Sequence, residues 1–258
     1  MAKINLDTSG ATIQQRAYEA LREAVITGLF VPGELVTLRS LGERLGVSEM
    51  PVREALRRLI AEGAFESLPN HSARVPFPTR QDVSQVNDLR LILESNAIRQ
   101  AVEHLSKHKL DRLSELASRM QELSFPTDVT EHARLNKEFH FGIYRESQNP
   151  TLVRLIESLW LRIAPFVHAI GLVAAREGRS ARRPVYSHHL TIVECLRAYD
   201  LPGAIAALEL DLAFPPGLPD YEEVMRGAAE AMAGRRTRRA RSGKARPKGA
   251  RVSRKPAA

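Results

Sequence analysis

Apolar residues in the first sixty positions recur at intervals of three and four, which predicts three helices. The first runs from Ile13 to Thr27 and the second is short. The second ends at Gly46, because glycine adopts the left-handed conformation that terminates a helix at little cost. The third runs from Ser48 to about Glu62. Three consecutive helices at the N-terminal end predict a helix-turn-helix unit.

The third helix has one apolar side and one basic side. Five apolar positions form a single stripe, namely Val52, Ala55, Leu56, Leu59 and Ile60. Glu49, Arg53 and Arg57 lie wholly or partly off that stripe. Ser48 is expected to cap the helix, with its hydroxyl accepting a hydrogen bond from the amide of Met50. The exposed side of the helix is therefore predicted to be mainly basic.

Two short strands are predicted after the third helix. Ala64–Leu68 and Ala73–Pro76 have strand character and flank a turn over residues 69–72, which forms a small β-wing. Three helices followed by a wing predict a winged helix-turn-helix domain over residues 1–78.

The remaining folded part of the chain is predicted to be helical. Beyond the Pro-Phe-Pro segment at 76–78 the pattern changes to long helical periods with almost no strand signal, which indicates a domain boundary. The predicted helices are Arg80–Ser106, Lys109–Leu123, Thr130–Ser147, Thr151–Ala174, Arg182–Tyr199, Gly203–Leu212 and Tyr221–Ala233. The fold class is therefore mainly α, with an N-terminal winged helix-turn-helix and a C-terminal antiparallel all-helical bundle over residues 79–233.

The net charge of +8 is concentrated at one end of the chain. Gly234–Ala258 carries eleven Lys/Arg and no acid, so the other 233 residues hold 27 basic against 30 acidic groups. With Gly, Pro, Ser and Ala between its cations, this tail is expected to be disordered. It is either a solubilising terminus or a non-specific phosphate-binding arm whose affinity falls with salt.

Nothing in the hydropathy pattern predicts a membrane protein. No continuous run of about 18 apolar residues is present, and the first ten residues lack a basic segment followed by a hydrophobic run. A cytoplasmic, nucleoid-associated protein without membrane contact is expected.

Two sets of residues resemble a known family. The string Leu45–Leu59, with Pro-Gly at 32–33 before it and Glu-Gly at 62–63 and Pro-Asn at 69–70 after it, closely resembles the DNA-binding domain of the GntR family. Later fragments resemble the FCD effector domain of its FadR-like branch: Leu89-Arg90, Glu94, Asn136, Phe139-His140, Gln148-Asn149-Pro150, His189 and residues 200–212. The resemblance spans about residues 13–213. It implies a homodimeric repressor that a small organic acid releases from a palindromic operator.

The helix-turn-helix pattern and the resemblance together suggest the main base contacts. The N-terminal part of the recognition helix enters the major groove, and Arg53 is best placed there to donate two hydrogen bonds to guanine. The resemblance adds Arg39 at the start of the preceding helix. It also points to position 49, which is usually arginine in the family and is Glu49 here. A carboxylate would repel phosphate or accept from cytosine, so the operator is expected to differ from the usual one.

Three further residues are candidate DNA contacts with a simpler alternative each. Arg57 either reaches DNA or belongs to a solvated helix face. Ser48 serves as a cap, and its hydroxyl at the DNA-facing end also has access to phosphate. His71 at the tip of the wing contacts the minor groove or a phosphate, or is solvent-exposed.

Four polar residues of the second domain are candidate metal ligands. Asn136 and His140 lie one turn apart on one helix face, and His189 and Asp211 lie on later helices. In metal-binding FCD domains the matching positions are usually an aspartate followed by three histidines, so two of the four are replaced here. The mixed set suits Zn²⁺, Ni²⁺ or Mn²⁺, and the metal and Arg90 would together hold a carboxylate effector. The alternatives are a metal-free pocket, since an amide oxygen is a poor ligand, and an Arg90 that only pairs with a neighbouring glutamate.

Two functions of other classes are alternatives to a regulator. A metal-dependent hydrolase would use the same four residues, but the sequence offers no general base beside them and no nucleophile motif, and the DNA-binding head would be unexplained. An architectural DNA-binding protein would depend on the basic tail. Deletion of residues 234–258 distinguishes such an architectural protein from a regulator, because a regulator keeps its sequence preference without the tail.

Overall fold

The chain folds into a small DNA-binding-type head followed by a helical bundle. The computed structural model describes residues 3–6, 11–69, 72–123, 128–176, 188–213 and 220–230, with the backbone alone for 174–176. The basic tail of residues 234–258 lies outside the described residues. The mainly α fold class predicted from the sequence is confirmed.

The head consists of three helices and three short strands. Its elements are α1 (Ile13–Ile26), β1 (Leu35–Thr37), α2 (Leu38–Leu45), α3 (Glu49–Ala61), β2 (Glu66–Leu68) and β3 (Ser72–Arg74). Gly46 ends α2 with a φ of 70°, as the sequence predicted. The head core is formed by fully buried side chains from the helices and from the loops beside them, including Leu21, Phe30, Leu41, Leu59 and Phe65.

The wing contains a third strand that the sequence pattern did not predict. The strand order is β1-β3-β2, both pairs are antiparallel, and Ala73 is paired with Val36 on one side and Ser67 on the other. β1 is only three residues long and buries Val36 alone, so it lacks the longer alternation by which a strand is recognised. The observed β2 and β3 are also shorter than predicted. The tip of the wing at 70–71 lies outside the described residues.

The expected hydrogen bond from Met50 to the Ser48 hydroxyl is not formed. Ser48 precedes α3 in an extended conformation, but its side chain makes no capping hydrogen bond. The usual donors to a cap are the second and third amides of the helix, and the third here belongs to Pro51, which has no N–H. By contrast, Thr37 and Ser40 form a complete capping box at the start of α2.

Among the described residues, six labelled helices and one further helical segment form the bundle. The six are α4 (Arg80–Ala101), α5 (Lys107–Glu122), α6 (Val129–Tyr144), α7 (Pro150–Arg176), α8 (His188–Arg197) and α9 (Leu201–Leu212). Residues 221–230 are also helical. Within the described residues α4 packs on α7 and α9, α5 packs on α6 and α8, and α8 packs on α9. This arrangement brings α4, α6, α8 and α9 around a common interior.

Several helix ends differ from the predicted ones. The first helix of the bundle was predicted to reach Ser106, but α4 ends at Ala101 and a 3₁₀ turn covers Val102–His104. Ser106 is instead the N-cap of α5, accepting a hydrogen bond from the amide of Lys109 at 3.3 Å. A second 3₁₀ turn, Arg145–Ser147, follows α6. The predicted start of α8 at Arg182 lies outside the described residues.

The head and the bundle share one continuous hydrophobic core. Polar contacts fix α1 and the end of α3 against α7. Arg22 on α1 pairs with Glu157 on α7 at 3.0 Å, and the Nε of Arg162 donates to the backbone carbonyl of Glu62 at 3.2 Å. The head is thus joined directly to a helix that also contacts the interior of the bundle.

α7 is a long helix with a high share of apolar residues. Over Pro150–Val173 its length and composition match those of a membrane span, but 61% of that window is buried inside the molecule. Burial of this kind is typical of the central helix of a folded bundle. No continuous apolar segment was predicted here because Arg154, Glu157 and Arg162 interrupt it.

Candidate metal centre and DNA-binding surface

The four candidate ligands meet in the interior of the bundle. α6 provides Asn136 and His140, α8 provides His189, and α9 provides Asp211. The Nε2 of His189 lies 2.8 Å from the Oδ1 of Asn136 and 3.2 Å from the Nε2 of His140. The Oδ2 of Asp211 lies 3.2 Å from the Nε2 of His140, and its Oδ1 lies 3.6 Å from the Nε2 of His189. One ion could contact all of these atoms.

Asp211 is a nearly buried carboxylate beside two imidazoles. Burial by itself raises the pKa of Asp211, but the neighbouring His189 and the hydrogen bond with His140 outweigh it and lower the pKa below its usual range. Arg90 also lowers this pKa, which places it in the same electrostatic environment. A buried negative charge of this kind requires a positive partner, either a protonated histidine or a bound cation.

The donor set fits a divalent metal ion. His140, His189 and Asp211 each offer a ligand atom, and these atoms lie within 4.8 Å of one another. His140 and His189 are almost completely buried, which excludes water from one side of the group. Two imidazole nitrogens, one carboxylate and one amide oxygen form the mixed nitrogen and oxygen set that Zn²⁺, Ni²⁺ and Mn²⁺ accept.

A buried carboxylate, Glu94, links Arg90 to the candidate ligands. Glu94 is completely buried and accepts hydrogen bonds from the Nε of Arg90 at 2.9 Å, the Nε1 of Trp160 at 2.8 Å and the hydroxyl of Tyr144 at 2.5 Å. The Tyr144 hydroxyl also lies 3.0 Å from the Nδ1 of His140. Arg90 therefore forms the glutamate pair that was one of its two predicted roles.

Tyr144 holds its proton tightly in this environment. Burial raises its pKa well above the ordinary value, and the charge of Glu94 and the hydrogen bond to it raise the pKa further. In the sequence Tyr144 could have been found from its spacing, because it lies four residues after His140 on the same helix face. Trp160 gives no such signal, since its contact with Glu94 depends on the packing of α4 against α7.

Two histidines that had no assigned role also lie near this interior. His132 is buried. Its burial and, to a smaller extent, the charge of the nearby His189 lower its pKa to about 3. It precedes Asn136 by four residues, so it continues the same stripe of α6. His168 on α7 has a pKa of about 4 because of burial, and its Nδ1 has no hydrogen-bond partner among the residues that the structure describes. Its imidazole lies against Gly28 of the head.

The candidate DNA-contacting residues share an exposed surface of α2 and α3. Ser48, Glu49, Arg53 and Arg57 are exposed along α3, and Arg39 is exposed at the start of α2. Met50, in the first turn of α3, is also exposed, and no DNA contact was predicted for its side chain. His71 lies outside the described residues.

Two of these arginines carry their own counter-ions. Arg39 pairs with Glu43 at 3.1 Å and Arg57 pairs with Glu54 at 2.8 Å, in both cases across one turn of helix. Both pairs are exposed and screened by solvent, so phosphate can replace the carboxylate at little cost. Neither pair removes its arginine from the DNA-facing surface.

The fold and the two sites define a class of protein. A winged helix-turn-helix with an exposed, mainly basic recognition helix is joined to a helical bundle that encloses a buried polar cluster. This combination is that of a DNA-binding transcriptional regulator that responds to a ligand.

Comparison with known proteins identifies the family. Residues 13–75 match the family of bacterial regulatory proteins named gntR, and residues 85–214 match the FCD domain. The chain therefore belongs to the GntR family of transcriptional regulators with an FCD effector domain. This confirms the resemblance seen in the sequence. Proteins of this family are regulators rather than enzymes, which speaks against the hydrolase alternative.

Individual relatives agree with this assignment. The HTH-type transcriptional regulator McbR of Escherichia coli K12 is 32% identical over 183 residues, which cover 71% of this chain and 81% of the relative. The gluconate operon transcriptional repressor of Bacillus subtilis is 26% identical over 62% of this chain and 63% of its own length. The solved structure of E. coli McbR/YncC superposes with a TM-score of 0.69 at 26% identity, covering 87% of this chain and 99% of that one.

Proposed function

We propose that this protein is a metal-dependent repressor that a small carboxylic acid releases from its operator. The observation that carries the proposal is the convergence of His140, His189, Asp211 and Asn136 in a buried site with Arg90 nearby. In this proposal those four side chains hold Zn²⁺, Ni²⁺ or Mn²⁺. When bound, the metal supplies a positive centre to which a carboxylate can attach, and Arg90 provides a second charge for the same ligand.

Metal content is the direct test of this site. The purified full-length protein, dialysed against metal-free buffer, is expected to retain close to one metal ion per chain by inductively coupled plasma mass spectrometry. The double variant His140→Ala/His189→Ala is expected to lose it. His108→Ala, which removes an exposed histidine of α5, is the matched control and should retain the metal. A wild-type protein that carries no metal even after incubation with Zn²⁺, Ni²⁺ or Mn²⁺ would contradict the proposal.

The effector is proposed to be a small organic acid. Arg90 is buried, lies above the ring of Trp160 at 4.9 Å and is fixed by Glu94, so its guanidinium group is pre-oriented for a carboxylate. Among the relatives, one repressor is named for a gluconate operon, which supports both a sugar acid and repression. Thermal stabilisation by a panel of organic acids should be lost in Arg90→Lys, which keeps the charge but not the planar fork, while metal content is retained.

Operator recognition is proposed to centre on Arg53, which reads guanine in the major groove. Arg39, Ser48 and Arg57 would contact phosphates or bases beside it, and Glu49 would accept a hydrogen bond from cytosine. His71 is a proposed wing contact.

Binding sites selected from random duplexes provide the test of these assignments. Arg53→Ala is expected to lose about 1–3 kcal/mol of discrimination at one position. Arg57→Ala should weaken binding to all sequences and lower the salt slope by about one. Arg99→Ala, at an exposed position on α4, is the control. Loss of most of the DNA binding on deletion of residues 234–258 would favour the architectural alternative, whereas a regulator keeps its sequence preference.

The protein is proposed to act as a cytoplasmic, nucleoid-associated homodimer on a palindromic operator. Leu89 and Ile92 expose apolar side chains on one face of α4, and a second copy of the chain is the proposed occupant. Ile92→Glu is expected to give a monomer in sedimentation velocity experiments, whereas Gln121→Glu, at an exposed position of α5, should remain dimeric. A wild-type protein that is monomeric at micromolar concentration would contradict this assignment.

A further inference from the structure

Glu94 divides its two carboxylate oxygens between different partners. Oε1 accepts from the Nε of Arg90 and from the Nε1 of Trp160, and Oε2 accepts from the Tyr144 hydroxyl. Arginine and tryptophan side chains only donate hydrogen bonds, so the direction of the first two is fixed. Since Oε1 serves these two donors, Oε2 is the oxygen that faces the Tyr144 hydroxyl.

The direction of the next hydrogen bond follows from the number of protons. A phenol has one hydroxyl proton, and Tyr144 donates it to Glu94 at 2.5 Å. The Tyr144 oxygen can then only accept from the Nδ1 of His140, which lies 3.0 Å away. His140 therefore carries a proton on Nδ1. Its other nitrogen, Nε2, faces His189 and Asp211.

We propose that Glu94, acting through Tyr144, is the positioning residue that fixes the tautomer of His140 and so directs the Nε2 lone pair to the metal site. The inference rests on the proposed metal-binding function, which it deepens. Neutral imidazole binds metal through the nitrogen that lacks a proton, so the opposite tautomer would block the site with a hydrogen atom. The same carboxylate holds Arg90, so the candidate metal ligand and the candidate effector-binding arginine are oriented by one buried group.

Replacement of Glu94 by glutamine gives a prediction that a merely structural role would not give. In Glu94→Gln the carbonyl oxygen must still accept from Arg90 and Trp160, so the amide NH₂ faces Tyr144 and donates to it. The Tyr144 hydroxyl then points to the Nδ1 of His140, and the imidazole proton moves to Nε2. A change of one atom that preserves shape is thus expected to reverse the tautomer of a residue two hydrogen bonds away.

The tautomer can be measured without any metal. Long-range ¹H–¹⁵N spectra of the metal-free, ¹⁵N-histidine-labelled full chain report which nitrogen of His140 carries the proton, with His140→Gln used for assignment. In the wild type we expect a proton on Nδ1, with or without a second proton on Nε2 that faces Asp211. In Glu94→Gln we expect Nδ1 to lack a proton, and in Tyr144→Phe, where the acceptor is missing, a mixture of the two Nδ1 states. Tyr18→Phe, which removes another tyrosine-to-glutamate hydrogen bond at 2.6 Å in the head, should retain Nδ1–H. An Nδ1 without a proton in the wild type, or a protonated Nδ1 in both site variants, would overturn the inference.

Zinc titration by isothermal calorimetry then separates the two proposals. Glu94→Gln and Tyr144→Phe are expected to bind Zn²⁺ about 10- to 100-fold more weakly than the wild type, and Tyr18→Phe equally well. Equal affinity in all variants would overturn the positioning role while leaving the metal site in place. If no variant and no wild-type protein binds zinc, the metal function fails, and the tautomer measurement alone decides whether Glu94 orients His140.

Discussion

At the scale of single residues, burial of His168 makes stability depend on pH. Its pKa falls from the ordinary 6.5 to about 4 because the imidazole is removed from water, so the folded protein holds it neutral. Between these pH values the unfolded chain binds more protons, and folding stability is therefore lost as the pH falls from about 6.5 towards 4. His132, with a pKa of about 3, acts in the same direction.

Denaturant unfolding at pH 7 and pH 5 measures this contribution. His168→Gln is expected to reduce the loss of unfolding free energy between the two pH values by on the order of 2 kcal/mol. His108→Gln, at an exposed position of α5, should leave the pH dependence as it is in the wild type. An identical slope in His168→Gln and the wild type would show that His168 is not held neutral.

Gly28 illustrates a second residue-scale constraint, close approach. It has a φ of +76°, and an added Cβ would lie 2.1 Å from the Nδ1 of His168. Gly46 has a similar φ of +70° but open space around it. Gly46→Ala should lower the unfolding free energy by about 1–2 kcal/mol through backbone strain alone. Gly28→Ala should lower it by about 1–3 kcal/mol more, because its Cβ also meets the His168 ring. In the His168→Ala background the excess should disappear, which a double-mutant cycle of unfolding free energies will measure.

The sequence was informative about individual site residues only where a local pattern existed. Asn136 and His140 share a helix face, and the family resemblance supplied His189 and Asp211. Of the partners of Glu94, Arg90 could be predicted because it lies one turn earlier on α4, whereas Tyr144 and Trp160 could not because they come from α6 and α7. Only the packed bundle decides which buried groups meet.

At the scale of elements, two helix starts in the head differ in how they are stabilised. Thr37 forms a reciprocal capping box with Ser40, whereas Ser48 makes no capping hydrogen bond. Thr37→Ala is therefore expected to lower the unfolding free energy by about 1 kcal/mol, and Ser48→Ala by clearly less. Urea denaturation of the two variants gives the comparison. An equal loss in both would mean that the Ser48 hydroxyl caps α3 in solution.

Element types were predicted well and element ends less well. The long amphipathic helices were found because their apolar stripes repeat over several turns. β1 was missed because a three-residue strand offers a single buried side chain, and its identity depends on pairing with β3 across the head. The end of α4 was misplaced because the 3₁₀ turn at Val102–His104 continues the same spacing of residues for one more turn.

At the scale of the whole molecule, the shared core predicts that head and bundle unfold together. Arg22 and Glu157 form a partly buried pair across the junction, and apolar side chains of both parts belong to one cluster. Differential scanning calorimetry should therefore show one transition whose van't Hoff and calorimetric enthalpies agree.

Charge reversal at the junction tests this cooperativity. Glu157→Lys places a lysine beside Arg22 and should separate the single unfolding transition into two. Glu131→Lys, which disrupts an exposed pair with Arg119 between two helices of the bundle, should only lower the midpoint temperature of the single transition. Two transitions in the wild-type protein would contradict a common folding unit.

The position of Trp160 has a practical consequence. It is the only tryptophan of the chain, its indole N–H donates to Glu94, the Arg90 guanidinium lies above its ring, and the His140 ring centre is 5.4 Å from its own. Indole emission is sensitive to nearby charge and to its hydrogen-bond partner. The protein thus contains an intrinsic fluorophore at the point where metal and acid are proposed to bind, and unlabelled compounds can be screened for effectors by their effect on its emission.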